Sequence, residues 1–460
     1  MQTTHSKSAE DVANDYMMNL IGRSLVMVSK QRSTGAVKAC RIHDLLHEFC
    51  VTKAKEEKLL QLVRGYDELY AFNVPHHLRR LCVNSKPEHF QESRLSIPTV
   101  RCLLFFKFGP REPYTWFDLS FIFQVFKLLR VLDLSQINLG ATLPREIGSL
   151  VQLRYLAVLG NMKSIPSSIT NLSNLETLIL EIYGWLISLP DTIWNMKRLR
   201  HLQLKDESLR GVFDLPMANL DNSSQLCNLD TFSWVSLSSW ENMDKILRKI
   251  PNIRKLKCRL VVDCDPAKEG SYRILVLDFL GQLESLNLRL RTEIDERYPF
   301  EFHFSLTIKK LTLSCFCLPW SDISAIADLP NLQVLKLLEQ TFVGEEWNMK
   351  EEEFPKLQFL KLASLDIVKW TALECENSFP RLQKLVLENC YNLVEIPSSL
   401  GNVSTLDIIE LSDCPSCASS VNEIQEEQIS MGNTDFKVIS SSRDVLSLYI
   451  SELLSSSDMH

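Results

Sequence analysis

In CRIHDLLHEFC, residues 40–50, His43 and Asp44 stand side by side between two apolar stretches. A histidine here can take up a proton near neutral pH or hold an anion, and a neighbouring aspartate can orient it or open a helix. Spacing alone favours the plainer use, in which Asp44 starts a helix, its carboxylate matched to the positive end of the dipole, with His43 partly exposed beside it. The other reactive groups gather into nothing sharper. Cys315-x-Cys317 and Cys414-x-x-Cys417 have the spacing of half a zinc site, but neither has a second Cys/His pair at usable distance, so no metal is expected. No nucleophile–base or carboxylate pair shares a plausible pocket, so no catalysis is expected either. The loop G-x-x-x-x-G-K-[ST], whose backbone N–H groups cradle phosphates, does not occur.

These residues are set in a chain dominated by one repeat. The pattern L-x-x-L-x-L begins clearly at Leu129, Leu153, Leu175, Leu199, Leu283, Leu332, Leu357 and Leu382. Looser copies begin at Leu78, Val100, Leu229, Ile253, Ile308 and Leu406, mostly 22 to 25 residues apart. Alternating apolar residues in L-x-L make a short strand with one buried face. A single unit cannot cover its own leucines; stacked units join their strands into a parallel sheet over a continuous core. The fold class expected is therefore α/β, a leucine-rich-repeat solenoid over residues 76–418. LPREIGSL, IPSSITNL, LPDTIWNM and IPSSLGNV share a proline followed by apolar residues every three, which predicts short helical or 3₁₀ segments on the outer side. Cys390 and Cys414 fall where such repeats place a small buried side chain in the inter-repeat turn, a structural use rather than a redox one.

Composition sets the remaining bounds. Hydrophobic residues are 45% and charged residues 23% of 460, an ordinary globular balance. Residues 1–130 carry 19 Lys+Arg against 13 Asp+Glu and the remainder 31 against 44, neither extreme enough to imply nucleic-acid binding. The 13 cysteines form no tight framework and the first residues are polar, with no signal peptide; no apolar run reaches the roughly 18 residues of a membrane span. A cytoplasmic location is expected, with peripheral association to a membrane left open.

Residues 1–75 do not repeat. EDVANDYMMNLIGRSLVMV predicts an amphipathic helix, LVMVSKQ and AVKACRI flank the turn residues RSTG, and DLLHEFCVTKAKEEKLLQL predicts a second helix opened by Asp44. Helix, hairpin, helix is the outline of a winged-helix unit. The second helix balances acids against lysines, so DNA binding is not expected. His76 and His77 begin a linker. The string LIGRSLVMVSKQRSTGAVKACRIHDLLHEFC, followed by VTKAKEEKLLQLV and LRRLCV, resembles the end of the nucleotide-binding module of plant coiled-coil-class intracellular immune receptors, the late blight resistance proteins among them. IHD stands where those receptors carry Met-His-Asp. The resemblance implies that His43 is a latch reaching the phosphates of bound ADP and that Asp44 braces the loop at the helix start. It also implies a C-terminal receptor segment, recognising a pathogen effector or guarded host protein by its repeats and restraining the nucleotide-binding module by intramolecular contact. ADP or ATP is expected only in a full-length receptor and no cofactor in this chain, since one hydrogen bond from His43, about 1 kcal/mol, does not hold a nucleotide. The alternative is a stand-alone repeat protein, an adaptor or decoy that binds partners without switching.

The outward residues of each x-L-x-L-x strand point from the concave face. His201, Lys205, Lys255, Lys257, Arg259, Arg289, Lys310, Lys336, Lys361 and Lys384 occupy such positions, with Glu388 and Glu410 as late acidic exceptions. They are either solvated charge or a docking stripe for an acidic partner, which charge reversal at Lys257, Lys336 and Lys361 is expected to weaken. Residues 419–460 are serine-rich and irregular, and a frayed tail that covers the last repeat is expected.

Overall fold

The computed structural model describes residues 9–441, apart from 32–34, 36, 71–77, 107–114, 183–185, 206–211, 217–220, 222, 238–239, 263–272 and 293–299. His76, His77 and residues 442–460 lie outside the described residues. The first unit is helix α1 (Ala9–Gly22), an antiparallel pair β1 (Val26–Gln31) and β2 (Val37–Ile42), then helix α2 (Asp44–Glu56). Its helices bury little. Among the described residues α2 has no buried side chain, and Tyr16, Leu45 and Phe49 stand 70%, 74% and 58% exposed.

All fourteen repeat copies form strands of one sheet, paired in parallel. Register keeps like positions stacked: Leu335, Leu360, Leu385 and Ile409 are successive partners, all buried. Each leucine therefore fills the layer that its neighbours line, and the core runs unbroken from Val63 to Phe436. On the outer side, the proline-led segments are 3₁₀ turns at Arg145–Ser149, Ser167–Asn171, Asp191–Asn195 and Ser398–Asn402. In the first three, proline at the position before the turn fixes an extended φ, and the isoleucine three residues on is buried.

The sheet extends beyond the expected boundaries at both ends. The second helix stops at Glu56 rather than running to Leu62; Lys58 turns the chain at φ 53°, and Gln61–Arg64 pairs in parallel with Arg80–Asn84. As a strand this segment buries Val63 fully against the next repeat, whereas α2 buries nothing. The segment after Cys417 is ordered through residue 441 rather than frayed. Ala418–Ser430 is a helix, and Lys437–Ser441 joins the sheet beside Ile408–Ser412. Val421 and Ile424 are buried, and the fully buried Gln428 donates to the carbonyls of Gly401 (2.7 Å) and Val403 (2.9 Å). Asn433 in turn donates to Gln428 Oε1 at 2.7 Å and to Leu406 O at 3.1 Å. This helix closes the end of the solenoid, where a further repeat would otherwise satisfy those groups.

Two regularities are not written in the repeat pattern. Cys315, Glu339, Ser364, Asn389 and Asp413, each directly after a strand, all have φ between 52° and 65° except Glu339 at 48°. Each donates its N–H to a backbone carbonyl of the following turn of the solenoid, which holds them in this sparsely populated conformation. Trp320, Trp347 and Trp370 stack with ring centroids 4.8 Å apart, the spacing of neighbouring strands.

Candidate recognition surface

The histidine–aspartate pair lies at the start of α2. His43 is the N-cap, extended at φ −68° and ψ 144°, and its Nδ1 accepts from the Leu45 N–H at 3.3 Å. Asp44 follows as the first helical residue, and both are exposed. The imidazole thus takes one of the N–H groups that a helix leaves without a partner in its first turn.

The ten basic residues singled out on the concave strands have unlike surroundings. His201, Lys255 and Lys310 fall in one cross-strand row, in register through Thr231 and Ser285. Lys257, Lys336 and Lys361 fall in the next row, linked through Asn287 and Thr312. Several carry their own counter-charge. Arg289 reaches Glu339 at 2.5 Å, Lys361 binds Glu388, and Lys384 binds Glu410. Glu388 and Glu410 therefore neutralise part of the stripe rather than merely interrupting it. Arg259 is 5% exposed, so it does not present a free charge to solvent as its position in the pattern implied. The physical reason is a bulge: Trp234 sits between the paired residues Ser233 and Val235 at φ 63°, and its ring lies 6.0 Å from the Arg259 guanidinium and 5.6 Å from Lys257 Nζ. Lys205, Lys255, Lys257 and Lys336 make no ion pair among the described residues. Burial holds the Lys257 ammonium below the usual lysine range. For Lys336 burial acts first, followed by repulsion from Lys361, Lys38, Lys310 and Lys257.

The N-terminal unit also touches this face. Glu10 on α1 binds Arg200 at 2.7 Å and lies 3.4 Å from His201 Nε2, across some 190 residues of chain. The Arg200 hydrogen bond holds the Glu10 carboxyl down to about 2, against its ordinary 4.5. A depressed carboxylate contributes to docking above about pH 4.5 and loses that contribution as pH falls towards 2. Carboxylate ¹³C titration is expected to place the Glu10 midpoint near 2 in the native chain and near 4.5 in Arg200→Ala. Because the pair is half exposed, its contribution to stability is below about 1 kcal/mol.

Known families match both units. A family described as "Leucine-rich repeat region" matches residues 117–319, and one described as "Disease resistance protein Winged helix domain" matches residues 1–50. Over 472 residues the chain is 36% identical to a putative late blight resistance protein homolog of Solanum demissum, a match covering 98% of this chain and 58% of that protein. The chain belongs to the late blight resistance protein family. A second relative from the same species, a late blight resistance protein, is 35% identical over 95% of this chain and 34% of its own length. This member of the family thus spans between about a third and somewhat over half of the curated relatives it matches. Among solved structures, a leucine-rich-repeat protein of Leptospira interrogans is 18% identical over 82% of this chain and 99% of its own, with a TM-score of 0.41. Among the described residues of this family member, no helix is long and apolar enough to cross a membrane.

Cys390, Cys414 and Cys417 are packed into the inter-repeat turns. The Cys390 backbone N–H donates to Cys414 Sγ at 3.4 Å, and Cys417 Sγ donates to Leu393 O at 3.1 Å, all three side chains being buried. Sequence reasoning found the positions of the concave cations but missed Trp234, whose neighbours LDTFSWV do not alternate cleanly. It also missed Glu339, one residue past the strand Val334–Leu338, and Glu10, which no local pattern connects to Arg200.

Proposed function

We propose that this chain is the recognition and restraint segment of a plant disease-resistance receptor. Its concave repeat face binds an acidic surface of a pathogen effector or guarded host protein, and its winged-helix unit carries the signal to a nucleotide-binding module. The carrying observation is the combination, in one chain of the late blight resistance family, of the disease-resistance winged helix and the repeat sheet. The uncovered apolar residues of α1 and α2 support a contact surface for that module, since exposed apolar patches of this kind mark interaction sites. In that contact His43 and Asp44 act as the latch on bound ADP, with the nucleotide held mainly by the module. The segment itself is non-enzymatic and carries no cofactor of its own.

Lys205 and Lys255 are among the exposed cations on which a partner's acids would act directly. Reversing both to glutamate is expected to weaken capture of a cognate acidic partner about tenfold and to flatten its dependence on salt. Surface plasmon resonance across roughly 50–300 mM salt, a range in which screening changes appreciably, reads both effects. Unchanged affinity and unchanged salt slope would remove the concave face from the recognition surface.

A further inference from the structure

A groove of about 600 Å³ crosses four successive turns of the solenoid where its strands end. The strands Lys310–Ser314, Val334–Leu338, Phe359–Ala363 and Lys384–Glu388 pair in that order, and Cys315, Glu339, Ser364 and Asn389 directly follow them. Backbone bonds lock these turns together. Cys315 N–H donates to Glu339 O, Glu339 N–H to Ala363 O and Ser364 N–H to Glu388 O, each at 2.9 Å. The lining carries two carboxylates, Glu339 and Asp366, with the amides of Gln340 and Asn389 and the ring of Tyr391, and no basic side chain. The two acids are in different states. Glu339 is neutralised by Arg289 at 2.5 Å and accepts the Cys315 thiol at 3.3 Å. Asp366 is exposed and makes no ion pair among the described residues; it meets Gln340 Nε2 at 3.5 Å, the outer limit of a hydrogen bond. Asp366 and Tyr391 each stand two residues past equivalent positions, Ser364 and Asn389, on neighbouring turns spaced by about 4.8 Å. Tyr391 is 57% exposed, and its hydroxyl lies 3.5 Å from Asn389 Oδ1. A carboxylate without a cation and an open aromatic ring thus line one groove, side by side.

We propose that this groove binds an arginine side chain of a partner polypeptide, its guanidinium paired with the Asp366 carboxylate and stacked on the Tyr391 ring. The guanidinium fork suits the lining better than an ammonium does. It is planar, so it can lie on the ring while two of its N–H groups meet the carboxylate. Its remaining donors find the amide oxygens of Gln340 and Asn389 in the same groove. A peptide-borne arginine suits it better than the free amino acid, whose α-carboxylate would enter beside Glu339 and Asp366 and be repelled. The volume falls in the range of ligand-sized pockets and leaves room for the chain on either side of the arginine. The site is independent of the receptor reading above, which rests on Lys205, Lys255, His43 and Asp44.

The test titrates N-acetyl-arginine methylamide into the full chain at low salt, followed by saturation-transfer NMR, beside the matching lysine and citrulline compounds and free arginine. Saturable binding of the blocked arginine is expected, weakened about tenfold by Asp366→Asn and about threefold by Tyr391→Ala. Tyr391→Phe is expected to retain it, because the ring rather than the hydroxyl makes the contact. Glu423→Gln, an exposed acid on the C-terminal helix, is expected to leave it unaltered. Binding that never saturates, that is matched by the neutral citrulline compound, or that falls equally in Glu423→Gln would overturn the site. Lysine binding as tightly as arginine would overturn the guanidinium assignment, and free arginine binding more tightly than the blocked form would overturn the polypeptide source.

Discussion

Trp347→Ala is expected to lower the unfolding free energy of the C-terminal repeats by about 3–5 kcal/mol. The indole is fully buried and stacked on both faces, by Trp320 at 4.8 Å and 11° and by Trp370 at 4.8 Å and 6°, with Phe354 edge-on at 6.5 Å. Truncation removes the middle of a three-ring stack, so the cost includes a cavity that two rigid neighbours cannot collapse into. Trp347 Nε1 has no hydrogen-bond partner among the described residues, unlike Trp320 Nε1, which donates to Gly344 O at 3.1 Å. Trp347→Phe therefore sacrifices no bond and is expected to cost only about 1 kcal/mol. Urea titration followed by tryptophan fluorescence separates the two variants. Equal losses would contradict the account, because the phenyl ring keeps a stacked ring and most of the volume that alanine gives up.

Gln428→Leu is expected to cost about 3 kcal/mol and to act locally, on the last repeats. Its amide supplies the donors for the carbonyls of Gly401 and Val403 and receives Asn433, all in a position fully shielded from water. Leucine fits the volume but takes the donor from the Gly401 carbonyl, removes one of the two donors to Val403 O, which keeps the Leu406 N–H at 3.0 Å, and leaves one N–H of the Asn433 amide unmatched, each loss carrying a desolvation cost. Gln428→Glu is expected to be worse, since a carboxylate supplies no donor and would bury a charge. Hydrogen exchange on the strands Lys384–Glu388 and Ile408–Ser412 reads the effect: protection should fall there first, while strands near Leu156 keep theirs. Uniform loss along the sheet would contradict a local cap.

The repeat was the most legible feature because its signal is redundant. Each of the fourteen strands restates the same alternation, and the four proline-led turns restate the same outer segment. Features that occur once were hidden. LLQLV after Glu57 has apolar residues that serve a helix face or a strand equally, and only the neighbouring strand Arg80–Asn84 decides between them. Val421, Ile424 and Gln428 keep a helical spacing within a serine-rich tail, but their reason is the open end of the solenoid. On the concave face, strand alternation gives the outward positions of the lysines but neither their cross-strand rows nor which of them are already paired. Lys361 and Glu388 are 27 residues apart and Arg289 and Glu339 are 50 apart, so counting charges by position overstated the free stripe. His43 illustrates the converse. Its place at a helix start is written locally, and the structure makes it the cap, while any role as a latch depends on groups that a short stretch does not encode.

The most direct test of the account joins residues 1–460 to the nucleotide-binding portion of a late blight resistance relative and scores cell death in leaf tissue without pathogen. With the unsubstituted chain the account predicts quiet tissue, and with Asp44→Val unprompted cell death at equal protein level. Quiet tissue in both, with the fusion accumulating normally, or death in both, would contradict a restraining segment latched through His43 and Asp44.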